Sequence, residues 1–188
     1  ARPKEPEPRA RLAEPARRAA LLALGRRIFT ARSYDAISID DIAEAAGISK
    51  GLLYHYFPSK RDFYIAVVDE AARQLLETTA PAAGLSPPEQ AQRGIDAYLD
   101  FVEAHSTAYT TLLRGGVGND PEIAARVEGT RETLIARMME NVGLVEPRPI
   151  VRFLIRGWIG LVEAASIDWI ERRDVSREVD VRTLLESL

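Results

Sequence analysis

The sequence predicts an all-α chain of about nine helices, with a three-helix unit containing a helix-turn-helix at the N-terminus and a longer helical domain behind it. Three observations carry this prediction. Apolar residues recur at intervals of three and four, the spacing that lines one face of a helix. Ser38, Ser59 and Ser86 each stand three residues before an acid, and in that pairing the two side chains satisfy free N–H groups at a helix start. Clusters of glycine and proline punctuate the segments between. These signals divide the chain into a flexible basic arm over 1–13, a helix-turn-helix domain over 14–60 and a second helical domain over 61–188.

The arm combines three prolines with Arg2, Lys4, Arg9 and Arg11 and has little to bury. It reads either as a basic tail that follows a duplex into a minor groove or as a solvated terminus. From Pro15 a helix begins, with proline in its first turn and Leu21, Leu24 and Ile28 recurring on one side. A second helix starts at Ser38, where Ile37 and Ile42 can close a hydrophobic staple, and ends at Gly47, since glycine accepts the left-handed conformation of a helix C-terminus. Ser49 caps the third helix. There Leu53 and Phe57, four apart, point inward at Ile42 and Ile48, which leaves Lys50, Gly51, Leu52, Tyr54, His55 and Tyr56 on the outer side.

Water gives exposed aromatic rings no reason to be there, whereas phenol, imidazole and ammonium groups suit phosphate oxygens and base edges. The outer side of the third helix therefore reads as a surface for double-stranded DNA, although one of the two tyrosines can instead pack on a neighbouring helix. Ser59 and Asp62 start the next helix and set Lys60 in its first turn, where a cation opposes the helix dipole. A phosphate of the duplex is the natural partner for it.

In three matches, Ile42-Ala43 with Ala46-Gly47-Ile48, Leu53-Tyr54-His55-Tyr56-Phe57, and Lys60, the segment resembles the TetR family of bacterial transcriptional regulators. The resemblance covers Ala16 to about Ala80 and then continues only in helix number and length. It implies that the Ser49 to Phe57 helix enters the major groove, with contacts from Lys50, Gly51, Leu52, Tyr54, His55, Tyr56 and Lys60; Ser38 and Ser49, at the two helix starts, are further DNA-binding candidates. One departure is Ser33, which stands where the family usually has glycine after the first helix. A serine in the left-handed conformation costs roughly 1 kcal/mol, so this helix is expected to end differently.

Downstream, helices are predicted from about Lys60 to Thr79, from Ser86 to about His105, on to Leu113, from Asp120-Pro121 through Val142, and from about Arg148 to Arg172. Gly115, Gly116 and Gly118 read as a loop, because no strand precedes them and no Gly-Lys-Ser/Thr follows. The last long helix is apolar nearly all round and needs cover on two sides. Arg152, Arg156, Glu163 and Asp168 interrupt it, so it is not a membrane span. A second copy of the chain is the economical cover. Gly157, Gly160 and Ala164 thin the surface for a close approach, and Val175 to Leu188 would supply a companion helix, so the dimer prediction names Gly160, Ala164, Ile167, Leu184 and Leu188. The alternative is a helix buried within a monomer. A two-fold dimer would read a pseudo-palindrome with half-sites about 34 Å or somewhat more apart.

By the same resemblance, an unidentified small-molecule effector binds among the C-terminal helices and lowers DNA affinity, which makes a homodimeric repressor the expected function. The lining candidates are Tyr98, Phe101, Tyr109, Met138, Trp158 and Glu163. Arg152, Arg156 and Glu163 share one stripe, which fits an exposed face, a cross-dimer ion pair or a polar grip on the ligand.

Charge and composition agree with this reading. Residues 1–60 hold 11 Lys and Arg against 7 Asp and Glu, a net +4, so the remainder carries −7 of the total −3. The basic end would turn toward a polyanion. With no cysteine there is neither a disulfide framework nor a thiolate metal site, no cofactor is expected, and the absence of an apolar leader points to the cytoplasm. An enzyme is not expected: there are two histidines, His55 and His105, and no HExxH, Gly-x-Ser-x-Gly or dinucleotide fingerprint. A helical interaction module that no longer binds DNA is the remaining alternative.

Overall fold

The computed structural model describes residues 14–114, 120–141, 143–144 and 148–177, and is all helical over them. In chain order the elements are α1 (Glu14–Ala31), a 3-10 turn (Tyr34–Ala36), α2 (Ile39–Ala46), α3 (Lys50–Tyr56), α4 (Lys60–Thr78), α5 (Pro87–Ala104), α6 (Ser106–Arg114), α7 (Pro121–Asn141) and α8 (Pro149–Arg172). The predicted arm, the three-glycine loop, and the companion helix with Leu184 and Leu188 lie outside the described residues, apart from Val175 to Arg177.

Helix starts follow the serine signals. Ser38 accepts a hydrogen bond from the Asp41 backbone N–H, while the Asp41 carboxylate accepts from that of Ser38. Ser49 accepts from Leu52 N–H and Ser59 from Asp62 N–H. At Ser86 the Glu89 carboxylate accepts from both the backbone N–H and the hydroxyl. Gly47 closes α2 at φ 63°, the left-handed region that glycine tolerates. Ser33 escapes the left-handed strain: its backbone is extended, at φ −64° and ψ 157°, and leads into the 3-10 turn.

The first core lies between α1, α2, α3 and the N-terminal half of α4, with Ile123 of α7 closing it. Its centre is aromatic. Phe63 is fully buried and meets Phe57 edge-on at 4.9 Å between ring centroids, while Phe29 meets Tyr64 edge-on at 4.8 Å. On α1, Leu21 is buried as the period predicts, together with Leu22, Gly25 and Phe29, while Ile28 packs half-buried against the same core and Leu24 is half-buried. Gly25 sets how closely α1 approaches α4. A Cβ there would stand 2.5 Å from Val67 Cγ2 and 2.6 Å from Phe63 Cζ, so α1 and α4 meet at a distance that only a glycine permits. Gly25→Ala is expected to destabilise by about 1–3 kcal/mol through overpacking, despite alanine's better helix propensity. Chemical denaturation followed by circular dichroism measures it.

Two smaller clusters hold the C-terminal helices. Ile95 and Leu99 of α5 pack with Val162 and Trp169 of α8, and Val102 and Tyr109 pack with Ile167. Ion pairs fasten α7 to α4: Arg61 grips Asp120 at 2.6 Å and Glu122 at 2.9 Å, and Arg126 grips Asp69 at 3.0 Å. Asp120 also accepts from the Glu122 backbone N–H at 2.9 Å, so the residue that starts α7 is the one that α4 holds. Arg61 and the backbone N–H groups of Glu122 and Ile123 keep its carboxyl well below the ordinary range, at about 2.

Candidate functional site

The outer face of α3 is built from its anchors. Leu53 and Phe57 are buried, and so is Ile42 opposite them, which turns Lys50, Gly51, Tyr54 and His55 into solvent. Tyr54 keeps 41% of its surface exposed although nothing obliges a phenol to face water. Leu52 is half-buried, and Ser38 and Ser49 sit exposed at the two helix starts. Tyr56 is the tyrosine that turns inward: it is half-buried against the first core, with the His55 ring edge-on at 5.4 Å.

Both lysines already have internal partners, which the sequence did not reveal. Lys50 Nζ lies 2.9 Å from a carboxylate oxygen of Asp40 on α2. Lys60 Nζ stands 4.0 Å above the Tyr34 ring. That ring, a cation–π partner contributed by the 3-10 turn, accounts for a lysine in the first turn of α4 without any phosphate. Both contacts are at the surface and are weak enough to be exchanged for a phosphate or a base edge.

The second feature is a cavity of about 330 Å³ lined by α1 and α4 to α8. All six residues predicted from the sequence line it: Tyr98, Phe101, Tyr109, Met138, Trp158 and Glu163. Most of the wall is apolar, including Val67, Val68, Leu75, Ile95 and Leu134. One group of polar side chains is closely linked, while Arg26, Gln90, His105, Arg137 and Asn141 reach the cavity elsewhere. The Tyr98 and Tyr109 hydroxyls share a hydrogen bond of 2.5 Å, and beside them Arg131 donates to both carboxylate oxygens of Glu163 at 2.8 Å. Burial raises both phenols, Tyr98 to about 12, so both stay protonated in neutral solution.

Glu163 is therefore held by α7 of its own chain rather than by a partner. Its stripe-mates follow, Arg156 with Glu128 at 3.1 Å and Arg152 with Glu132 at 3.9 Å, so the charged stripe of α8 fastens α8 to α7 within one chain. Arg131, which carries this arrangement, was missed in the sequence. Its only local sign was the i, i+3 step from Glu128.

A different side of α8 is bare. Phe153 is 69% exposed and Leu154 62%, with Ile150 and Leu161 also exposed. Gly157 and Ala164 lie on this side too, and Gly160 is half-buried with open space where a Cβ would stand. Ile167 does not belong to it. Contrary to the prediction it is 5% exposed and packs with Val102 and Tyr109, because the helical repeat carries position 167 round to the inner face.

Comparison with known proteins decides the family. A profile described as "Bacterial regulatory proteins, tetR family" matches residues 21–67, and one described as "Tetracyclin repressor-like, C-terminal domain" matches residues 87–188. The chain belongs to the TetR family. The TetR-family chain is similar to the HTH-type transcriptional activator FasR of Mycolicibacterium smegmatis, with 32% identity over 129 residues, 65% of this chain and 57% of that protein. It is also similar to the HTH-type transcriptional repressor KstR2 of Rhodococcus jostii, with 27% identity over 91% of this chain and 76% of KstR2. A TetR-family transcriptional regulator from Streptomyces coelicolor superposes with a TM-score of 0.84 at 29% identity, covering 94% of this chain and 78% of the other. The chain thus spans little more than half the length of FasR, and 42% of EthR from the same organism.

Proposed function

We propose that this TetR-family chain is a cytoplasmic, sequence-specific DNA-binding regulator of transcription. It works as a homodimer, reads a pseudo-palindromic operator with α3, and leaves that operator when a small molecule fills the cavity. One observation carries the DNA reading: α3 is anchored by Leu53 and Phe57 and offers Lys50, Tyr54 and His55 to solvent on one side. A helix with only a structural role gains nothing from that placement. The bare side of α8, with glycine and alanine between large apolar residues, supports the dimer. The cavity supports the effector. A ligand changes DNA affinity by no more than its own difference in affinity for the two states of the protein. Release from the operator yields derepression or loss of activation according to where the operator lies, which accommodates one relative named as an activator and another as a repressor.

The test is fluorescence anisotropy on duplexes from the neighbouring intergenic regions at two salt concentrations. Binding is expected to weaken steeply with salt as neutralised phosphates release counterions. Lys60→Ala should weaken all sequences alike and lower the salt slope by about 1, whereas Lys50→Ala should also relax base preference, at a cost of about 1–3 kcal/mol at one position. Because Lys60 rests on Tyr34, the thermal midpoint of Lys60→Ala is measured alongside. Equal loss of preference in both variants would refute the assigned roles.

A further inference from the structure

The caps at Ser38 and Ser49 fix the first turns of α2 and α3. In the first of these turns Ile39 packs against the first core and Asp41 closes the capping box, so Asp40 is left to face solvent. Lys50 opens α3 beside it. Lys50 Nζ stands 2.9 Å from both Asp40 carboxylate oxygens, and the two side chains stay 47% and 68% exposed.

Stability is a weak reason for this pair. An ion pair in water contributes little, and Asp41 already supplies the acid that the start of α2 favours. A carboxylate beside the outer face of α3 also repels the polyanion which that face would meet.

The pair nevertheless has capacity to spare on both halves. An ammonium carries three N–H donors and a carboxylate about four acceptor sites, so each can bind outward while they hold each other. Together they present a donor next to an acceptor at hydrogen-bond separation. A G·C pair shows the complement in the major groove: guanine O6 and N7 accept, cytosine N4 donates, and O6 and N4 are themselves one hydrogen bond, about 2.9 Å, apart. An A·T pair also offers a donor near acceptors, but guanine alone sets two acceptors, O6 and N7, under one ammonium. Phosphate offers acceptors only. Against it Lys50 gains a contact while Asp40 is pressed toward a like charge.

Resting on the reading of α3 as the DNA-reading helix, we propose that Asp40 is a specificity-determining residue. With Lys50 still attached, it accepts from the N4 amino group of one cytosine in each half-site while Lys50 donates to the paired guanine, and elsewhere on DNA it holds Lys50 back from phosphate.

The full chain and its Asp40→Ala and Asp40→Asn variants are each carried through selection from a randomised duplex library and sequencing. Anisotropy then compares the selected consensus of the unaltered chain with a random-sequence duplex of equal length, at two salt concentrations. Asp40→Ala should bind the random duplex about fivefold more tightly, with a steeper salt slope, because a repulsive charge is gone and Lys50 is free for phosphate. Its consensus-to-random ratio should fall about tenfold or more, with the loss of preference confined to one G·C position per half-site. Asp40→Asn should gain on the random duplex likewise and move that position toward A·T, since an amide matches adenine N6 and N7. Lys50→Ala strands the carboxylate against the duplex, and adding Asp40→Ala should restore random-duplex binding about fivefold.

A merely structural role would weaken both duplexes together and keep their ratio. Unchanged or weaker random-duplex binding by Asp40→Ala, or a selected motif identical to that of the unaltered chain, overturns the proposal and leaves the DNA reading standing. An unaltered chain that enriches no sequence refutes the DNA reading and this inference with it.

Discussion

Phe153→Glu combined with Leu154→Glu is expected to leave a folded monomer that has lost operator binding by a factor of about 10²–10⁴, the gain that linking two sites ordinarily confers. Both side chains stand in solvent on α8 and touch neither core cluster beneath that helix, so helicity and thermal midpoint should hold within about 0.5 kcal/mol. Across a two-fold axis each glutamate would face an apolar surface or its own copy, and burying unpaired carboxylates is costly. Light scattering gives the mass and anisotropy the affinity. A variant that stays dimeric would move the interface elsewhere, and a monomer with full operator affinity would remove the need for two reading heads.

Phe63→Ala should have the largest effect on stability, about 3–5 kcal/mol. The ring is fully buried, stacks edge-on with Phe57, and fills the seam where Gly25 lets α1 approach α4. Truncation opens a void that neither helix can close, because the rest of the seam is already in contact. The loss spreads to α3, whose anchor Phe57 rests on the same ring. Urea unfolding measures the change, and a loss below about 1 kcal/mol would show that the core repacks.

How much of this was legible in the sequence depends on the distance over which each feature is determined. Helix starts at Ser38, Ser49, Ser59 and Ser86 were legible because a cap is made by residues two or three apart, and Gly47 because a left-handed turn selects its residue locally. Anchors Leu53 and Phe57 were legible from helical period alone. Five of the cavity residues could be named because large aromatic and sulfur-bearing side chains on the C-terminal helices have few places to go, and Glu163 because it interrupts an apolar helix. What was hidden is all long-range. Tyr34 under Lys60, Asp40 beside Lys50 and Arg131 against Glu163 are pairings between separate elements, with no periodic signature. The omission of Leu22, Gly25 and Phe29 from the buried side of α1 and the misplacing of Ile167 share one cause: period locates an apolar stripe but not which part of a broad stripe meets which neighbour.

The helix from Lys60 to Thr78 belongs to two environments at once, since Phe63, Val67 and Val68 sit in the core beneath α3 while Val67, Val68, Ala71 and Leu75 wall the chamber. No joint interrupts it. Under the effector reading proposed above, an occupied chamber would need no relay of side chains to reach the far end, and the expected pivot of the rod is the glycine crossing at Gly25.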